Sequence, residues 1–291
     1  MRPRAPDAMK YAITGAAGQL GSTFVRELGR RGADLVPLTH ASLDLADDVA
    51  VRDTVAGLRP DVILNCAAYN AVDRAEDEAA TALAVNAFGV RALARAAAEA
   101  GSVLVHYSTD FVFDGLASAP YRETDRANPR SVYGQSKLIG EWFAAAAPTA
   151  YVLRVESLFG GPQTHGSVDR IADALRNGQE ARVFVDRIVS PSFVDDVVAA
   201  TLALLANRSA PGLYHCVNTG AATWLDVGTE IARVLGVAPA LAPVTMEEVQ
   251  MRATRPRYCA LSNEKLAAAG VHMPEWQDAI RRYLWPSAGT R

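Results

Sequence analysis

A chain of 291 residues, half of them apolar, can bury the core of one large domain or two small ones. Its net charge of −3 and pI near 6.0 argue against a dedicated nucleic-acid binder. Three scattered cysteines, Cys66, Cys216 and Cys259, form no CxxC and argue against a disulfide framework or zinc site, which suits a reducing cytoplasm.

The opening octet MRPRAPDA lacks an apolar segment and reads as a loose extension, residues 1–8, rather than a signal peptide. Every apolar stretch is broken by charge before the ~18 residues of a membrane helix. A soluble cytoplasmic protein with no nucleic-acid or membrane partner is expected.

From Lys10 onward short apolar runs alternate with helical patterns. KYAIT (10–14), DLVPLT (34–39), DVILNCAA (61–68) and SVLVHYSTD (102–110) read as strands, and residues 76–100 as one alanine-rich helix. YVLRVE (151–156), RVFV (182–185) and GLYHCVN (212–218) continue the strand pattern. Continuous apolar strands separated by helices predict an α/β fold, a doubly wound parallel sheet covered on both faces. Past about residue 155 loops rich in proline and glycine intervene. A smaller C-terminal region is expected at 156–291, partly interleaved with a nucleotide-binding domain at 9–155.

GAAGQLG places Gly15, Gly18 and Gly21 between the first strand and a helix that ends near Arg31. A GxxGxxG match is weak alone; in this context it predicts a pyrophosphate seat, helped by the helix dipole. The second strand closes on Thr39 and His40 without the carboxylate that would repel a 2′-phosphate. NADPH is therefore the expected cofactor, with NADH as the alternative. Arg30, Arg31 and His40 are candidate cations for the 2′-phosphate, and Asp44 and Leu45 are candidates to flank the adenine.

Ser108, Thr109 and Asp110 end the fourth strand, so their side chains emerge at the sheet's carboxyl edge. Tyr133 and Lys137 stand four residues apart in SVYGQSK and share one helix face. Surface helices carry such pairs by chance, but here the pair follows a phosphate-seating turn. The ammonium is expected to favour the ionised phenol, lowering its pKa from about 10 so that it can exchange a proton beside a carbonyl. Asn86, inside a helix, marks a kink or a held water.

These motifs, in this order, resemble the extended short-chain dehydrogenase/reductases. Within them NCAAYNAVDRAE, STDFVFDG, SVYGQSKLIGE, RVESLFGG, SPSFVDDV and RPRYCAL resemble the dTDP-4-dehydrorhamnose reductase family over roughly residues 9–285. The resemblance implies a Rossmann fold and NAD(P)H-dependent reduction of the 4-keto group of a nucleotide-linked 6-deoxyhexose. Thr109 would polarise the carbonyl, Tyr133 would protonate it, and Lys137 would hold the nicotinamide ribose. Gln19, Leu20, Ala67, Ala68, Tyr69 and Asn86 complete the implied cofactor set. Val72, Asp73, Asp110, Glu156, Ser157, Arg255 and Arg257 are the implied substrate contacts, with the two arginines meeting the diphosphate. No metal site is expected, and a homodimer is admitted.

Phe111 follows Thr109-Asp110 where sugar-nucleotide dehydratases have glutamate, which argues against dehydration. Ser157 stands where the reductases have tryptophan, removing an aromatic wall and enlarging the sugar pocket. The chemistry is thus better indicated than the sugar. A non-catalytic NAD(P)-binding regulatory subunit and a sugar-nucleotide epimerase are the alternatives.

Overall fold

The computed structural model describes residues 9–162 and 166–285; the extension expected at 1–8 lies outside them. Strand β1 (Lys10–Thr14) leads through the glycine turn into α1 (Gln19–Arg30), then β2 (Asp34–Leu38), α2 (Asp48–Leu58) and β3 (Val62–Asn65). Short helices α3 (Val72–Ala75) and α4 (Ala79–Leu83) pass through a π-helical turn at Ala84–Phe88 into α5 (Gly89–Ala100). Strand β4 (Val103–Thr109), helix α6 (Val132–Ala145) and strand β5 (Ala150–Val155) follow.

The second half contributes β6 (Leu158–Phe159), α7 (Ser167–Arg176), β7 (Ala181–Phe184), β8 (Ile188–Val189), β9 (Ser192–Phe193) and α8 (Val194–Ala206). Next come β10 (Gly212–His215), β11 (Ala222–Thr223), α9 (Trp224–Leu235), β12 (Leu241–Val244), α10 (Glu264–Ala268) and α11 (Trp276–Leu284).

Six strands form one parallel sheet in the order β10-β5-β4-β3-β1-β2. Alternate residues of each strand serve opposite faces. Tyr11 and Ile13 pack with Phe24, Val197 and Ile231 from α1, α8 and α9; Ala12 and Ile63 pack with Val51, Leu93 and Ala144 from α2, α5 and α6. This two-sided burial explains why the strands read as unbroken apolar runs rather than alternating ones. Pro37 is tolerated because β2 is an edge strand, paired only with β1.

Two expectations change. RVFV forms a strand, but β7 pairs with β12 in a separate two-stranded unit, whereas GLYH supplies β10 to the main sheet. Apolar character marks a buried strand without naming its partner. The helix expected at 76–100 is interrupted at Ala84–Phe88 by the π-turn. Buried Asn86 lies inside that turn and bonds the backbone of Tyr69, so the widened turn is fixed by a tertiary contact.

Strand order reverses between β1 and β3, where doubly wound folds open a crevice at the carboxyl ends. The glycine turn after β1 and Cys66–Ala68 after β3 meet there.

Candidate active site

The glycines at the crevice are required by close approach. Gly15 has φ +64°, and a Cβ on it would lie 2.6 Å from the Ala67 nitrogen. A Cβ on Gly21 would stand 2.2 Å from the Gly15 carbonyl oxygen. Gly18 is the N-cap of α1 and provides no side-chain cap, and there is no acidic residue in the first turn. The helix therefore presents uncapped N–H groups and its positive end to an anion. Gln19 steadies that end by donating to the Gly160 carbonyl at 2.9 Å.

A cavity of about 380 Å³ opens in front of this turn. Its walls bring together Gly18, Gln19 and Leu20 from α1, Cys66, Ala67 and Ala68 after β3, and Thr109 and Asp110 at the end of β4. Tyr133 and Lys137 reach it from α6, whose first turn is capped by Ser131 accepting from the Gly134 N–H at 3.1 Å. Val72, Glu156, Ser157 and Arg255 close the remaining side.

Tyr133 and Lys137 do share a face, but the lysine does not acidify the phenol as expected. Lys137 Nζ donates to the Tyr107 carbonyl at 2.5 Å, and burial lowers its pKa to about 8. Burial and the nearby Asp110 charge push the Tyr133 phenol up instead. Its hydroxyl donates weakly to Asn70 Oδ1 at 3.4 Å, and its ring meets Phe111 edge-on at 5.5 Å. The phenol is thus held protonated. Thr109 Oγ1 donates to Asp110 Oδ1 at 2.9 Å and accepts from the Phe111 N–H at 3.2 Å, so it also caps the short 3₁₀ turn after β4.

An acidic floor lies beneath. Asp110, Glu156 and Cys259 bring ligating atoms within 4.8 Å of one another, close enough to hold a metal ion. Arg187 already brings positive charge there, its NH2 standing 3.6 Å from Cys259 Sγ and its guanidinium 5.6 Å over the Phe111 ring. Burial raises the proton affinity of both carboxyls, that of Glu156 strongly, and Arg187 opposes the rise. Ser157 adopts φ +44°, a left-handed conformation unusual for a residue with a side chain.

A second cavity of about 580 Å³ adjoins the first and is lined by Arg170, Arg182, Phe184, Arg187, Trp224 and Arg255. Cations and aromatic rings in one cleft suit a nucleotide.

The RmlD substrate binding domain model matches residues 9–288. The chain belongs to the RmlD substrate binding domain family. Among relatives in this family, a dTDP-4-dehydrorhamnose reductase of Streptomyces griseus is 39% identical over 282 residues, covering 93% of this chain and 91% of that protein. A probable dTDP-4,6-dihydroxy-2-methyloxan-3-one 4-ketoreductase of Streptomyces antibioticus is 37% identical and covers 94% of each chain. The crystal structure of a dTDP-4-dehydrorhamnose reductase from Bacillus anthracis in complex with NADP is 32% identical. It superposes with a TM-score of 0.90 over 95% of this chain and 99% of that one.

Several residues expected in the site of this RmlD-family chain stand outside the cavity walls. Arg30 and Arg31 pair with Glu27 at the far end of α1, and exposed His40 stands beyond β2, 3.9 Å from Asp44. Leu45 is buried against Gly89, and Asp44 accepts from the Ala46 N–H at 2.9 Å. Asn86 is buried, with its amide engaged to Tyr69 and to Ser136 Oγ at 3.0 Å, so it braces the β3 loop against α6. The Tyr69 hydroxyl itself donates to Glu78 at 2.6 Å. Asp73 pairs with Arg255 at 2.6 Å, whereas Arg257 points to Glu247 and Asp186 and lines neither cavity.

Asn70, Arg187 and Cys259 were not among the site residues expected from the sequence. Asn70 lies within NCAAYNAVD and was legible as a neighbour of Val72. Cys259 lies in RPRYCAL and Arg187 carries no local signal, and only the tertiary fold carries either to Asp110.

Proposed function

We propose that this protein reduces the 4-keto group of a nucleotide-linked 6-deoxyhexose at the expense of NADPH. One observation carries the reading: Thr109, a protonated Tyr133 and Lys137 share a cavity with the uncapped N-terminus of α1. The names of the relatives and the NADP held by the Bacillus anthracis structure support it. A cytoplasmic enzyme is proposed; no helix among the described residues is long and apolar enough to cross a membrane. A homodimer is the proposed assembly.

The residues fit the cofactor. Gly15 and Gly21 leave room for backbone where any Cβ would collide, and the N–H groups of α1 are free to meet a diphosphate. When bound, NADPH supplies the hydride that reduces the carbonyl carbon. Tyr133 gives its phenolic proton to the carbonyl oxygen, and Thr109 turns its hydroxyl from Asp110 to hold that oxygen. Lys137 brings a buried ammonium to the same wall, where it would hold the nicotinamide ribose. The sugar lies against Val72, Glu156 and Ser157, where small Ser157 leaves a wide pocket. The nucleotide occupies the neighbouring cavity between its arginines and Phe184 and Trp224.

The test is incubation with NADPH and a panel of dTDP- and UDP-linked 4-keto-6-deoxyhexoses, following absorbance and identifying the product. Stoichiometric cofactor oxidation with a 4-hydroxy product is expected. Binding of NADPH with no turnover on any member of the panel would sink the reading.

A further inference from the structure

Arg187 and Arg255 are the two residues common to the walls of both cavities among the described residues. Arg255 is committed, with NH2 2.6 Å from Asp73 Oδ2 and Nε 3.0 Å from Met251 Sδ. Arg187 is not. Its Nε is enclosed without a hydrogen-bond partner, and its NH2 reaches a thiol sulfur, a weak acceptor, at 3.6 Å. Asp110 and Glu156 act on it electrostatically but form no ion pair with it. Asp110 Oδ2, also enclosed, likewise has no partner. A guanidinium with an unpartnered donor, lying against an aromatic ring and lining two cavities, is prepared for an anion that passes between them.

A nucleotide sugar that fills both cavities must bring its diphosphate across their shared wall. We infer that Arg187 holds the sugar-proximal phosphate of the substrate. Planar, bidentate geometry suits a guanidinium for this contact better than an ammonium. The inference deepens the nucleotide-sugar reading above and rests on it. It assigns Arg187 as a specificity residue that separates nucleoside diphosphates from monophosphates.

The experiment is calorimetric titration of the NADP⁺-loaded protein with dTDP and with dTMP, for the wild type, Arg187→Met and Arg187→Lys. The dTDP affinity of Arg187→Met should fall roughly 10- to 150-fold, the range for losing a charged hydrogen bond. The dTMP affinity should change less than about threefold on the same reasoning, since the lost contact is to the second phosphate. Arg187→Lys should recover part of the dTDP affinity, and it carries the comparison if the methionine variant fails to fold. Undiminished dTDP binding in Arg187→Met, or equal losses for dTDP and dTMP, overturns the assignment while leaving the reductase reading intact. A wild-type protein that binds no nucleoside diphosphate overturns both.

Discussion

Lys137 and Tyr133 lie one turn apart on α6, yet the lysine ammonium donates to the Tyr107 carbonyl at 2.5 Å and the phenol stays protonated. The pair therefore divides two tasks, with the tyrosine holding the proton and the lysine a buried charge.

That buried charge has a pH signature. The pKa of Lys137 is lowered from 10.5 to about 8 by burial, so between those values the unfolded chain binds a proton that the folded chain does not. Stability then rises with pH across this window, and the penalty of burying the ammonium is fully present below pH 8. Its size is roughly 3 kcal/mol at 1.36 kcal/mol per pKa unit. In the ligand-free protein, Lys137→Met should gain stability over wild type at pH 7, and the gain should shrink toward pH 10. Urea titrations across that range check it; a gain independent of pH would contradict the account.

The glycines of α1 give a matched pair of substitutions. A Cβ on Gly21 meets the Gly15 carbonyl at 2.2 Å, whereas one on Gly29 meets nothing within 4 Å. Gly21→Ala should displace the turn and weaken NADPH binding at least tenfold, on the order of 1.4 kcal/mol or more. Gly29→Ala should bind NADPH normally and add about 0.5–1 kcal/mol of stability. Fluorescence titration with NADPH and thermal unfolding separate the two effects.

Helix α6 is tied to the sheet by a buried pair. Arg154 on β5 donates to both oxygens of Glu141, at 2.8 and 2.7 Å, and its guanidinium stands 4.9 Å from the Phe113 ring centroid. Glu141→Ala leaves that guanidinium buried without its carboxylate and should cost about 3–5 kcal/mol. The double variant Glu141→Leu with Arg154→Met should recover much of the loss, because neither charge is then stranded. Chemical denaturation of both variants measures it, and an additive double variant would contradict the coupling.

Local chemistry was legible in the sequence. The glycine spacing, the strand-end Thr109 and the Tyr133–Lys137 interval are short-range patterns, and each reached the same cavity. Sheet membership was less so: RVFV has the composition of a core strand but pairs with β12, since apolar character does not choose a neighbour. The acidic floor was half legible. Asp110 and Glu156 adjoin recognisable motifs, while Arg187 and Cys259 meet them only through the fold. The direction of the Tyr133 shift was also hidden, because helix spacing gives proximity to Lys137 but not the burial that outweighs it. Asn86 signalled a helix irregularity, and its partners Tyr69 and Ser136 became visible only in three dimensions.

If Tyr133 supplies the proton for carbonyl reduction, removing its hydroxyl should stop turnover without releasing the cofactor. Wild type and Tyr133→Phe are assayed with NADPH and a dTDP-4-keto-6-deoxyhexose that the wild type reduces, and NADPH binding is titrated in parallel. The kcat of the variant should fall about 10²- to 10⁴-fold, with NADPH affinity within about threefold of wild type. Turnover by Tyr133→Phe at the wild-type rate would contradict it.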